Sequence, residues 1–138
     1  DSVGVKVGGR EDRDIADVFA SPPEELSRLM WHDPAKAPNP GQMSDAELEI
    51  VQSNRVALGL YTWQPYMHNP KLPGRLHRID VPTLLLWGEN DGLVTPDYGR
   101  AFCAMIPGAE MIVIPEAGHA PQAEQPEAFV EQVIAFAK

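Results

Sequence analysis

Two uninterrupted apolar runs near the end of the chain restrict its possible folds most. "VPTLLLWG" spans residues 81–88 and "MIVIP" spans residues 111–115. Neither run alternates polar and apolar residues, which is the pattern of strands in a parallel sheet that is covered on both faces. Because parallel strands are joined by a crossover, the two runs predict a right-handed β–α–β unit and an α/β fold.

The segment between the runs supplies the crossover helix. Thr95 can cap a helix that carries Pro96 in its first turn, and "PG" at 107–108 ends it. One helical face collects the apolar residues Tyr98, Ala101, Phe102, Met105 and Ile106. A last helix is expected from about Pro126. Its inner face would consist of Phe129, Val130, Val133, Ile134 and Phe136.

The first half of the chain is expected to be helical and irregular. Ser21 with Glu24, and Ser44 with Glu47, have the spacing of a capping box at the start of a helix. The second box precedes a long amphipathic helix, with a Pro-rich connection at 33–41 before it. Its apolar residues are Leu48, Ile50, Val51, Ala57, Leu58 and Tyr61.

Composition excludes several classes of function. With 11 basic and 20 acidic residues the net charge is −9, so the surface repels phosphate backbones and nucleic acid is not expected as a partner. No apolar stretch is long enough to cross a membrane, and the first residues do not have the layout of a signal peptide. Cys103 is the one cysteine, which excludes an internal disulfide and a Cys-based zinc site. We therefore expect a cytoplasmic protein in which Cys103 is a buried or half-buried thiol.

Asp91 and His119 are the candidate catalytic residues. Each follows one of the predicted strands by a few residues, and the carboxyl ends of neighbouring parallel strands meet at one edge of the sheet, where active sites of open α/β folds lie. A carboxylate that holds one imidazole nitrogen leaves the other able to take a proton. Asp91 could instead serve only the Asn-Asp-Gly turn, with Glu89 as the second choice of acid, and His119 could be a structural loop residue.

These segments resemble the C-terminal part of an α/β-hydrolase. Gly88-Glu89-Asn90-Asp91 matches that family's G-x-x-D turn, and Gly118-His119 matches its G-H motif before the last helix. The resemblance implies a helical cap and its leading loop over residues 1–74, and the C-terminal part of the hydrolase core over residues 75–138. It implies Asp91 as the acid, His119 as the base and no metal or organic cofactor. The family's G-x-S-x-G nucleophile motif is absent from these 138 residues, so we expect the C-terminal portion of a longer hydrolase that is inactive by itself.

The resemblance predicts a hydrolase that acts on an ester or a related small organic substrate, with a Ser, Asp or Cys nucleophile. A non-catalytic binding protein on the same fold is the alternative. Trp63, Tyr66 and Met67, at the end of the long helix, are either packing residues or the lining of an apolar substrate pocket. Because two parallel strands cannot form a stable sheet alone, an upstream segment of the protein or a second copy of the chain must complete it.

Overall fold

The computed structural model of the chain describes residues 2–138. Two strands, β1 and β2, pair in parallel, with Leu84 opposite Glu110 and Gly88 opposite Ile114. The described elements are, in chain order, α1 (Pro23–Met30), α2 (Asp45–Thr62), α3 (Pro73–Leu76), β1 (Leu84–Gly88), α4 (Pro96–Cys103), β2 (Glu110–Ile114), α5 (Pro121–Glu124) and α6 (Pro126–Phe136), with short 3₁₀ turns at Pro34–Lys36 and Pro40–Gln42. The predicted β–α–β unit is therefore confirmed as β1–α4–β2.

A proline lies near the start of β1 and another directly follows β2, and each limits the backbone hydrogen bonding at that end of its strand. Pro82 and Pro115 lie just outside the two strands, and a residue without an N–H group cannot donate to a neighbouring strand. Strand β1 accordingly begins at Leu84, not at the start of its apolar run, and β2 ends at Ile114.

Helix α4 begins as predicted and supplies part of the core. The Thr95 hydroxyl accepts a hydrogen bond from the Tyr98 N–H at 3.4 Å, with Pro96 as the first helical residue. The side chains of Tyr98 and Phe102 are buried, and the Tyr98 ring centre lies 6.3 Å from that of Trp87 on β1. The helix ends at Cys103, before the predicted "PG", because the next residues form tighter turns that lead into β2.

The amino-terminal segment is fixed to α4 through a buried hydroxyl. The Tyr98 hydroxyl donates to the Val5 carbonyl at 3.0 Å and accepts from the N–H groups of Gly4 and Val5 at 3.1 and 3.0 Å. Burial, followed by the nearby charge of Asp14, raises the pKa of Tyr98 above its usual value. These contacts bring the amino-terminal segment and α4 into one core.

The two predicted capping boxes have opposite outcomes. At α2 the prediction is confirmed, because the Glu47 N–H donates to the Ser44 hydroxyl and the Ser44 N–H donates to the Glu47 carboxylate. At α1 the prediction is wrong, since the N-cap is Pro22 and no side chain caps the helix. Proline disfavours helical backbone at the residue before it. Pro22, which precedes Pro23, has the extended ψ of 149°, and the helix starts one residue too late for Ser21 to cap it.

The predicted apolar faces of α2 and α6 are largely exposed, which corrects the sequence analysis. No residue of either helix is fully buried, and Tyr61 is 89% exposed. Periodicity shows which residues a helix can bury, whereas burial also requires a partner. Next to α6, a shallow groove is lined by Leu84, Leu86, Phe129, Val133 and Phe136. Over residues 2–138, no helix has both the length and the apolar composition needed to span a membrane.

Candidate active site

The turn after β1 holds a buried carboxylate with two separate tasks. Asp91 is 2% exposed. Its Oδ1 atom accepts hydrogen bonds from the N–H groups of Leu93 and Val94, both at 2.9 Å. Its Oδ2 atom lies 2.8 Å from Nδ1 of His119. One oxygen thus shapes the turn and the other meets the imidazole, so a role in the turn does not exclude the contact with His119.

The imidazole comes from the loop after β2. The His119 N–H donates to the Met30 carbonyl at 2.6 Å, which fixes the loop against the end of α1, and the His119 side chain is 27% exposed. With an ionised Asp91, Nδ1 carries a proton and donates it to the carboxylate, while Nε2 carries the lone pair that can accept a proton. The carboxylate also stabilises the imidazolium that proton transfer would produce.

Backbone contacts lock the two loops together. The Glu89 N–H donates to the Ile114 carbonyl at 2.9 Å, and the Asn90 N–H donates to the Ala117 carbonyl at 2.8 Å. A Cβ atom on Gly88 would overlap the carbonyl oxygens of Ala117 and Gly118. Only glycine permits this approach, which gives the first residue of the G-x-x-D turn a physical purpose. The Glu89 side chain is exposed, and it is Asp91 that meets His119.

An apolar cavity of about 460 Å³ opens beside His119. Its walls come from residues of the first half and from the turn after Asp91, among them Phe19, Leu26, Met30, Leu58, Met67 and Leu93. This volume is within the range of small-molecule sites, which are mostly apolar with a few polar groups. The exposed part of the imidazole therefore faces a space that can hold a small organic molecule.

The three predicted substrate-binding residues lie in different places. Met67 is buried and lines the cavity beside His119. Trp63 and Tyr66 line a separate, more polar cavity. The Tyr66 hydroxyl donates to the Ala16 carbonyl at 2.6 Å, and the Trp63 ring packs edge-on against Phe19 at 5.7 Å between ring centres. The structure thus brings only Met67 together with the candidate catalytic pair.

The other ionisable residues differ from this pair. Cys103 is half-buried, as predicted, and burial followed by the charge of Glu110 raises the pKa of its thiol, which keeps it protonated. The His68 ring contacts the Tyr66 carbonyl, and the His77 side chain is exposed. Within residues 2–138, no cluster of three or more His, Cys, Asp or Glu residues could hold a metal ion.

Sequence reasoning missed Glu124, which is 2% exposed. The sequence pattern predicts a loop at this position, whereas Glu124 ends α5 and accepts backbone hydrogen bonds from Gly118, His32 and Asp33. A glutamate before Gln-Pro has no periodicity that signals burial. Its three partners come from segments whose proximity only the folded chain reveals.

The family profile described as "Alpha/beta hydrolase family" matches residues 3–132. The chain belongs to the α/β-hydrolase family. A solved serine hydrolase involved in carbazole degradation superimposes with a TM-score of 0.59 at 22% identity, over 83% of this chain and 45% of that one. At that identity the likeness supports the fold alone. It agrees with the predicted fold class, the C-terminal part of an α/β-hydrolase fold.

The relatives of this α/β-hydrolase are esterases and other hydrolases. A pimeloyl-[acyl-carrier protein] methyl ester esterase of Nitrosospira multiformis is 28% identical over 114 residues, which cover 83% of this chain and 36% of that protein. The enzyme of the same name from Pectobacterium atrosepticum is 43% identical over 60 residues, covering 44% and 24%. A 2-hydroxy-6-oxononadienedioate/2-hydroxy-6-oxononatrienedioate hydrolase of Klebsiella pneumoniae is 37% identical over 67 residues, covering 49% and 23%. The chain thus spans about a quarter to a third of the length of these curated relatives.

Proposed function

We propose that Asp91 and His119 are the acid and the base of a nucleophile–Asp–His triad, in a hydrolase of an ester or a related small organic substrate. The observation that carries this proposal is the 2.8 Å contact between Asp91 Oδ2 and His119 Nδ1, made by a fully buried carboxylate and a partly exposed imidazole. Burial of the acid and exposure of the base are what the chemistry requires, because only the base must reach the reacting groups.

In this proposal His119 transfers protons in both halves of the reaction. With a Ser or Cys nucleophile, Nε2 takes the proton of the nucleophile as it attacks the carbonyl carbon, and then delivers it to the leaving group as the covalent intermediate forms. Nε2 next takes a proton from the water that attacks the intermediate, and returns it to the nucleophile on release of the product. Asp91 stays ionised throughout and keeps the proton of the neutral ring on Nδ1.

Because its walls are apolar, the cavity favours an ester whose acid part is largely hydrocarbon. Two relatives carry a methyl ester in their names, and a third is named for an oxo-dienedioate. We propose the cavity beside His119 as the site of the acyl part, with Met67 in its wall. Trp63 and Tyr66 stay candidates for substrate contacts farther from the imidazole.

The nucleophile and the oxyanion-hole donors are proposed to come from a segment of the same protein outside these 138 residues. No G-x-S-x-G motif is present here, and the relatives extend well beyond the matched region. That segment, or a second copy of the chain, would also supply the strands that a parallel sheet needs. Residues 1–74 are proposed as the cap region with its leading loop, and residues 75–138 as the end of the core.

Replacement of the base tests the triad. In the full-length protein, His119→Ala should abolish hydrolysis of a chromogenic ester while the circular dichroism spectrum and the unfolding temperature stay near those of the wild type. Near-normal turnover would refute the assignment. A full-length protein that binds the ester analogue but hydrolyses none, with or without His119, would indicate a binding protein on the same fold. The 138 residues alone should hydrolyse no ester above background.

A further inference from the structure

Glu124 is a second buried carboxylate for which the proposed mechanism has no use. Asp91 and Glu124 are the two charged residues that are buried among residues 2–138, each 2% exposed. Glu124 ends the short helix α5, five residues after His119. Removing a carboxylate from water is unfavourable unless hydrogen bonds replace the lost hydration, so the partners of Glu124 indicate its purpose.

Those partners are backbone N–H groups from two segments that are far apart in sequence. Oε2 accepts from the Gly118 N–H at 2.6 Å and from the His32 N–H at 3.3 Å. Oε1 accepts from the Asp33 N–H at 2.9 Å. A carboxylate suits this position because it only accepts, with two oxygens for three donors. Glu124 therefore clamps the His119 loop to the segment that follows α1.

The clamp acts on the residue directly before the imidazole. Gly118 donates to Glu124, and the next N–H, that of His119, donates to the Met30 carbonyl at 2.6 Å. A Cβ atom on Gly118 would overlap the Met30 carbonyl oxygen, so the two segments are in close contact. Loss of the carboxylate would leave three N–H groups without their acceptor and free the loop to shift.

We propose that Glu124 is a positioning residue for His119, one that keeps Nδ1 within hydrogen-bonding distance of Asp91 by clamping the histidine loop to residues 32–33. The inference rests on the proposed function of the Asp91–His119 pair. It differs from a purely structural role in its consequences. A structural carboxylate changes only stability, whereas a positioning carboxylate changes the ring geometry and hence the proton chemistry of His119.

Two substitutions change the charge and the length of the Glu124 side chain one at a time. Glu124→Gln keeps the length but removes the charge and one acceptor, whereas Glu124→Asp keeps the charge but is one methylene too short to span both segments. In the full-length protein, well below the unfolding temperature, both should lower kcat for a chromogenic ester by about 10- to 100-fold, since misplacement by about 1 Å is enough for such a loss, with KM little changed. In both, the low-field proton resonance of His119 Nδ1 should weaken or move. The acid limb of the kcat/KM profile should shift to lower pH, because the Asp91 carboxylate stabilises a displaced His119 imidazolium less.

Asp14→Asn is the matched control. Asp14 also accepts two backbone N–H groups, those of Val7 and Gly8, together with an ion pair from Lys6, and these three partners all lie in the amino-terminal segment. This variant should lower the unfolding temperature without moving the Nδ1 resonance or the acid limb. If the Glu124 variants behave like this control, the role is structural and the inference fails. An effect of Glu124→Gln without one of Glu124→Asp would also overturn it, because charge rather than reach would then matter.

If neither Glu124 variant folds, amide proton exchange in the unmodified protein tests the clamp instead. The amide protons of Gly118, His32 and Asp33 should exchange slowly, whereas rapid exchange of Gly118 would overturn the clamp. His119→Ala distinguishes the two proposals. Full activity of that variant would refute the proposed function, whereas inactive His119→Ala with normal Glu124 variants would refute only the positioning role.

Discussion

The two oxygens of Asp91 make different contacts, so replacing this residue should change stability and activity independently. In Asp91→Ala, the buried N–H groups of Leu93 and Val94 lose their acceptor. An unsatisfied buried donor costs about 1–3 kcal/mol, so two of them should lower the free energy of unfolding by about 2–6 kcal/mol. In Asp91→Asn, the amide oxygen can still accept both bonds, and we expect a loss below about 1.5 kcal/mol.

Activity should not follow stability in these variants. When the side-chain oxygen of the Asp91→Asn variant occupies the turn, its NH₂ group faces Nδ1 of His119, which must then present a lone pair and carry its proton on Nε2. The ring is in the wrong tautomer to act as a base. The same exchange in a serine-protease triad lowers kcat on the order of 10⁴-fold, equivalent to about 5 kcal/mol of transition-state stabilisation. Asp91→Asn should therefore be nearly as stable as the wild type and nearly inactive.

Both quantities can be measured on the full-length protein. Urea-induced unfolding gives the stability, and hydrolysis of a chromogenic ester at several pH values gives kcat and KM. Equal stabilities of Asp91→Asn and Asp91→Ala would refute the role of Oδ1 in the turn. Activity of Asp91→Asn within tenfold of the wild type would refute the tautomer argument.

Further predictions concern the framework of the site. Gly88→Ala should lower the free energy of unfolding by at least about 1–3 kcal/mol because its Cβ overlaps the loop after β2, whereas Gly74→Ala, in open space on α3, should be neutral or stabilising by up to about 1 kcal/mol; equal effects in urea unfolding would contradict this account. Tyr98→Phe removes the buried partner of Gly4 and Val5 and should lower stability by about 1–3 kcal/mol. Since burial raises the folded-state pKa of Tyr98, the stabilisation from its neutral form is complete below about pH 10, the unfolded value, and declines as the pH rises toward the folded value. Thermal unfolding should thus show a shallower alkaline decline in Tyr98→Phe, and parallel profiles would count against it.

The sequence predicts the parts of this structure that local rules decide. Thr95 and Ser44 cap helices because their side chains reach N–H groups within three residues. The apolar run around Trp87 signals a buried parallel strand by its composition. The Asp91–His119 pairing follows from strand topology, because parallel strands deliver both loops to one edge. In each case the information lies within a few residues or in one topological rule.

Features that depend on distant partners are not predictable in this way. The exposure of Tyr61 on α2 depends on whether anything covers the helix, and periodicity carries no record of that. The burial of Glu124 arises from N–H groups about 90 residues earlier in the chain. Ser21 is a different case, since the restriction that a proline places on the preceding residue is present in the sequence and outweighs the capping-box spacing.

The end of α1 has a consequence for exchanging parts between relatives. The Leu29 carbonyl accepts from the Gly92 N–H at 2.9 Å, beside Asp91, and the Met30 carbonyl accepts from the His119 N–H. A chimera that replaces all of residues 1–74 would therefore substitute the backbone partners of both loops along with the pocket wall. Crossover points placed after residue 33 and before residue 74 would leave those partners native. Donor segments could then vary in α2 without disturbing the backbone contacts of the Asp91 and His119 loops.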